Sequence, residues 1–193
     1  MKKILINTLL VLFLPMISYS QFSHLGLSAA YSSEVKKPGF GIYGIFRVND
    51  DIKLTPGIIY YLPHTIDTDL GTQKFQWWAI NLDGNYVIAR SGMFEGYGIM
   101  GLNFSNITGE QDEEELGQTF QDKQSMLKLG LNAGAGIRLN LGDKFVPFGE
   151  LRYTLGSKAD FTFNEVSTSQ FSIFAGFLIR IAEDKDRSKT EDY

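Results

Sequence analysis

Few side chains in this sequence are of the types that do covalent chemistry. Cysteine is absent, which excludes thiolate catalysis, disulfides, cysteine-ligated metals and a lipid anchor on a processed N-terminal Cys. The only histidines are His24 and His64, and His64 stands beside Thr65 and Asp67. A base, a hydroxyl and an acid make a catalytic set only when the base reaches the nucleophile by hydrogen bond, and no motif around either His imposes that. The segment GEQDEEELG at 109–117 carries acids that could offer oxygen ligands to a hard cation such as calcium. It lacks the alternating ligands and central glycine of an EF-hand loop and reads as a solvated acidic loop. Gly39-Phe40-Gly41 and Gly96-Tyr97-Gly98 do not lead from a strand into a helix, so they are strand glycines rather than phosphate loops. The chemistry left over is ionic: Asp83, Glu95 and Glu150 on one side, Arg138, Arg152 and Arg180 on the other.

The segments that carry these charges alternate. In 126–140, MLKLGLNAGAGIRLN, Leu127, Leu129, Leu131, Ala133, Ala135, Ile137 and Leu139 share one face of an extended strand, while Lys128, Asn132, Arg138 and three glycines share the other. A helix would scatter those leucines around its axis. A strand tilted in a bilayer crosses in about 9–11 residues and shows lipid only one face, which accounts for both the alternation and the glycines.

Lys2 and Lys3, the apolar run Ile4–Ile17 and the small-x-small triplet Ser18-Tyr19-Ser20 make residues 1–20 a predicted secretory signal peptide cleaved before Gln21. The apolar run is short for a spanning helix. The expected organisation is therefore a signal over 1–20, a single β-barrel domain over 21–181 and a charged periplasmic tail over 182–193. The formal net charge of −4 and the lack of a basic stretch give no footprint for nucleic acid. Twenty glycines, with 15 Phe, 9 Tyr and 2 Trp, fit a strand-and-turn protein with aromatic belts. In lipid such a chain must close on itself, because an open sheet edge leaves backbone polar groups unsatisfied.

The pattern predicts an all-β, eight-stranded antiparallel up-and-down transmembrane barrel with strands near 22–31, 39–48, 52–62, 74–88, 94–104, 126–140, 145–155 and 169–181. The connections 49–51, 89–93 and 141–144 are short, whereas 32–38, 63–73, 105–125 and 156–168 are longer. That alternation matches tight periplasmic turns at one rim and extracellular loops at the other. Phe40, Ile42, Phe46, Val48, Trp78, Ile80, Leu82, Tyr86, Ile88, Phe171, Ile173, Phe177 and Ile179 are assigned to lipid. Arg47, Lys53, Asn81, Asp83, Asn85, Glu95, Asn103, Glu150, Arg152 and Arg180 fall on the opposite, inward face. Trp77 and Trp78 point to opposite faces, one of them toward an interfacial girdle.

YGIMGLNF at 97–104, LGLNAGAGIRLNL at 129–141 and FAGFLIRI at 174–181 resemble the small outer-membrane β-barrel family that includes the OmpX-like proteins and the barrel domain of OmpA. The last stretch is similar to the assembly signal of such barrels, although Ile179 and Ile181 stand where the family favours aromatics and a charged segment follows. The resemblance implies integral residence in a bacterial outer membrane, contact with its lipid and lipopolysaccharide, delivery by the barrel-assembly machinery and a monomeric state.

Eight strands leave an interior just wide enough for side chains, so buried charge must be paired. Asp83, Glu95 and Glu150 are expected to compensate Arg138, Arg152 and Arg180 in one interior polar network, with Arg47 and Lys53 nearer the periplasmic rim. The function expected is non-enzymatic, with no cofactor and no metal. A narrow, plugged lumen supports loops that serve surface interaction with an extracellular ligand, adhesion or envelope integrity. The alternatives are a lipid A-modifying barrel enzyme built around a His, and a soluble periplasmic calyx with its apolar face turned inward around a ligand.

Overall fold

The computed structural model describes residues 21–68, 71–115, 118–142, 144–161 and 165–181; the predicted signal segment 1–20 and the charged tail 182–193 lie outside them. The strands are β1 (Gln21–Ser32), β2 (Pro38–Arg47), β3 (Ile52–Thr68), β4 (Gly71–Ser91), β5 (Phe94–Glu115), β6 (Gln118–Leu139) and β7 (Phe145–Gly156). A short hairpin, β8 (Lys158–Asp160) and β9 (Glu165–Ser167), precedes β10 (Gln170–Arg180). All but β8 and β9 form one closed antiparallel barrel, in which each strand pairs with its chain neighbour and β1 pairs with β10 from His24↔Arg180 to Ser32↔Ser172. The fold is the eight-stranded up-and-down barrel that the alternation predicts.

The pleat sorts the side chains. Phe40 and Ile42 of β2, Ile80, Tyr86 and Ile88 of β4, Leu127, Leu129 and Leu131 of β6, and Phe171, Ile173 and Phe177 of β10 are all exposed on the outer wall. Asn81, Asp83, Asn85, Asn103, Asn132, Glu150 and Arg152 are buried inside. This is the reverse of a soluble calyx, which needs its apolar row inward. Prolines sit where the ladder allows a missing donor. Pro38 begins β2; Pro56 lies where β2–β3 pairing skips from Tyr43↔Gly57 to Phe46↔Leu54; Pro63 lies in the register shift between Tyr61 and His64.

One rim holds both barrel ends and the tight turns. After β2 the Asn49 carboxamide oxygen accepts the Asp51 and Ile52 N–H groups at 2.9 and 2.7 Å, an Asx turn. After β4 the chain reverses at Gly92, whose φ of +56° suits a residue without Cβ.

The opposite rim departs from the sequence expectation. Segments 63–73 and 105–125 are not loops: β3 runs on to Thr68, β4 begins at Gly71, and β5 and β6 are 22 residues each, paired out to Glu115↔Gln118. The acidic stretch expected as a solvated loop is strand from Gly109 to Glu115. Since a bilayer needs only about 10 residues per strand, β5 and β6 continue past the rim by roughly 40 Å of extended chain. Once past the bilayer a strand no longer needs an apolar face, so the alternation that marks it in sequence fades while its backbone pairing continues. The 156–168 connection likewise contains β8 and β9, whereas in the 32–38 connection residues 33–37 lie outside any strand.

Candidate functional site

The inward faces of β4 to β7 converge on one buried guanidinium. Arg152 of β7 places Nη1 at 2.5 Å from Asp83 Oδ2 on β4, and Nη2 and Nε at 2.5 and 2.9 Å from Glu150 Oε2, two residues along its own strand. Its charge also faces the Phe174 ring, 4.8 Å from the centroid. Each carboxylate receives a further donor: Tyr97 OH at 2.7 Å to Glu150 Oε1, and Asn132 Nδ2 at 2.9 Å to Asp83 Oδ1. Asn132 Nδ2 also reaches Asn81 Oδ1, which accepts from Asn103 Nδ2 at 2.7 Å, while Thr154 Oγ1 donates to Asn132 Oδ1 at 2.8 Å. The two acids and the base are thus each bound by several polar partners, which buried charge requires, while Asn81 Nδ2 at the edge of the fan has no partner among the described residues. The cavity that the described residues leave at this level has about 10 Å³, no more than one water occupies.

Glycines make room for this arrangement. The register sets Gly136 opposite Glu150, and a Cβ on Gly136 would come within 2.5 Å of Tyr97 Cζ, so the tyrosine ring lies over bare backbone. At Gly134 the neighbouring strand itself lies close, a Cβ there clashing with the Leu151 carbonyl oxygen and meeting the Arg152 stem at 3.3 Å.

Glu95 and Arg138 belong to a second cluster at the tight-turn mouth. Glu95 binds Lys53 Nζ at 2.5 Å, Arg138 Nη1 at 3.1 Å and Arg90 Nε at 3.5 Å. Arg138 lies 3.9 Å over the Tyr97 ring, so Tyr97 separates the two clusters and touches both. The single network expected from sequence is therefore two. Lys53, expected near the rim, is a direct partner of Glu95. Arg180 joins neither set, because no ion pair holds it among the described residues and its buried Nε has no hydrogen-bond partner there.

Toward the other rim an apolar layer crosses the lumen. Ile59, Tyr61, Trp77 and Ile107 are buried with Ala159 and Phe161 of the 156–168 segment, and Phe75 meets Phe161 edge-on with centroids 5.9 Å apart. Trp77 points inward at 3 % exposure while its neighbour Trp78 faces out. The sequence reading missed this layer, although its residues sit at the inward parity of β3, β4 and β5. On the hairpin above it, Lys158 donates to Glu165 at 2.5 Å, a contact that lowers the Glu165 carboxyl pKa and raises that of Lys158.

Among the described side chains, which do not include that of Asp67, neither histidine forms a catalytic set. His64 Nδ1 is buried without a hydrogen-bond partner among the described residues, and Thr65, its neighbour in β3, alternates to the other face. His24 Nδ1 lies 2.9 Å from Ser23 Oγ, both drawn inside by the register shift between Phe22 and His24. Ser23 Oγ donates its proton to the Ile45 carbonyl at 3.1 Å, so His24 is the donor to Ser23 and does not serve it as a base.

An eight-stranded barrel with an apolar outer wall, a packed interior and unequal rims defines the outer-membrane type of β-barrel, and solved structures of that type match it. A major outer-membrane protein from Thermus thermophilus matches with TM-score 0.61 and 14% identity, over 82% of this chain and 99% of that one. Neisserial surface protein A matches with TM-score 0.55 and 13% identity, over 83% and 96%. Ail, the attachment invasion locus protein of Yersinia pestis, matches with TM-score 0.51 and 16% identity, over 83% and 97%. No protein-family model and no curated protein matches the chain by sequence.

Proposed function

We propose that this protein is a non-enzymatic integral outer-membrane barrel, exported by a cleaved signal over 1–20, whose lumen is a scaffold rather than a conduit and whose protruding hairpins make the contacts of function. One observation carries the reading: the outer wall is a band of exposed Leu, Ile, Phe and Tyr, while the buried charge at mid-barrel is paired within the barrel around Arg152. That division suits lipid outside and a packed plug inside. The partners of the wall are outer-membrane lipid and lipopolysaccharide, and the barrel-assembly machinery delivers it as a monomer. The hairpins of β3 to β6 reach beyond the bilayer toward an extracellular ligand or surface, in adhesion or envelope integrity. The attachment for which Ail is named agrees with this use of a small barrel.

The test joins two measurements. Outer-membrane fractions run unboiled and boiled should show two mobilities for the chain, as detergent-resistant barrels do, and the purified protein in planar bilayers should show little steady conductance. Recovery of the chain only in the soluble periplasm would refute membrane residence. A stable ohmic channel altered by Glu150→Ala would refute the plug.

A further inference from the structure

The tight-turn mouth opens into a cavity of about 450 Å³. Five cationic side chains line it, Arg47, Lys53, Arg90, Arg138 and Arg180, against two carboxylates, Asp50 and Glu95. Arg90 is held by Asp51 at 2.8 Å, and Glu95, shared between Lys53 and Arg138, cannot neutralise both. Arg138 is 3 % exposed, and the Nε–H groups of Arg138 and Arg180 are both buried with no hydrogen-bond partner among the described residues. A buried guanidinium donor left unpaired costs free energy, and a basic cleft with low-dielectric walls concentrates anions.

We propose that this vestibule is an anion site, taking one phosphate- or carboxylate-class oxyanion against Arg138 and Arg180. Guanidinium forks match the planar edge of a carboxylate or two oxygens of a phosphate, and each contact is charge-assisted. Two sources supply that chemistry. One is a soluble anion of the compartment the mouth faces, the periplasm in the orientation proposed above. The other is the chain itself, because Glu183, Asp184 and Asp186 lie within five residues after Ile181.

Calorimetric titration of the full, detergent-folded chain with inorganic phosphate at constant ionic strength tests the site. Saturable binding is expected, weakened about tenfold by Arg180→Gln and unchanged by Lys158→Gln on the distant hairpin. Arg180→Lys, which keeps the charge and removes the fork, should also weaken it and serves if the glutamine variant does not fold. In a Glu183→Gln/Asp184→Asn/Asp186→Asn chain, stronger phosphate binding identifies the chain's own carboxylates as occupants; equal binding identifies a soluble anion. No saturable binding in either background, or binding indifferent to both folded Arg180 variants, overturns the site. The gel-mobility test of membrane residence is untouched by either result.

Discussion

Replacing Arg152 with Met tests whether the barrel interior is a charge scaffold. Arg152 and Asp83 are 2 % and 0 % exposed at their side chains and Glu150 3 %, so water does not screen the set. The substitution keeps much of the stem volume beside Gly134 but removes three charge-assisted contacts of 2.5–2.9 Å, leaving Asp83 and Glu150 as two buried carboxylates with only Asn132 and Tyr97 as donors. Breaking a buried pair from one side costs about 3–5 kcal/mol, because the surviving charge is uncompensated. Two carboxylates survive here, so the upper end is expected, with the lost contact to Phe174 adding about 0.5–2 kcal/mol. Combining Arg152→Met with Asp83→Asn and Glu150→Gln should recover most of the loss, since replacing a whole buried ionic set by neutral groups is often close to neutral. The assay is urea unfolding of the detergent-folded protein, followed by tryptophan fluorescence and by the unboiled gel band. An Arg152→Met variant within about 1 kcal/mol of the parent would refute the scaffold argument.

Three further outcomes are expected. Leu131→Arg, on the outer wall between Leu102 and Leu155, should cost about 2–4 kcal/mol in lipid while Leu131→Phe is tolerated; equal stability in a liposome-folding titration would place that face away from lipid. Gly136→Ala should destabilise by about 1–3 kcal/mol, because its Cβ would lie 2.5 Å from Tyr97 and push the tyrosine off Glu150; an unfolding midpoint equal to the parent's would show that the ring moves freely. An epitope inserted between residues 115 and 118 should be labelled on intact cells and one at Asp50 should not; the opposite pattern would invert the topology.

Legibility in the sequence followed what the bilayer demands. The outer row of β6 from Leu127 to Leu139 alternates without interruption, so its face, its neighbours and the inward placement of Arg138 and Asn132 were all readable. The register of β7 follows from the short 141–144 turn, which sets Glu150 against Gly136. Past the rim the demand lapses: residues 108–115 and 121–125 are polar on both parities, and only backbone pairing makes them strands. The ionic partners were legible as a set and not as pairs. Parity says that Asp83, Glu95 and Arg180 all point inward, but height along the barrel decides that Glu95 meets Lys53 and that Arg180 meets no acid among the described residues.

The protruding part of the sheet is not closed. β2 pairing with β3 ends at Gly39↔Tyr61 and β7 pairing with β6 begins at Gly130↔Gly156, so beyond the rim β3 to β6 form a four-stranded ribbon, closed neither by β2 nor by β7 among the described residues. A barrel abolishes sheet edges, whereas this ribbon regains two, one along β3 and one along Gln118–Leu129 of β6. Each presents backbone N–H and C=O groups in the spacing that templates another strand, the liability that other sheet proteins blunt with lysines. Lys123 and Lys128 stand along the β6 edge, and Lys123 is tied to Glu110 on the neighbouring strand. Lengthening a hairpin beyond the membrane therefore exchanges a sealed cylinder for a surface where self-pairing must be kept in check by charge.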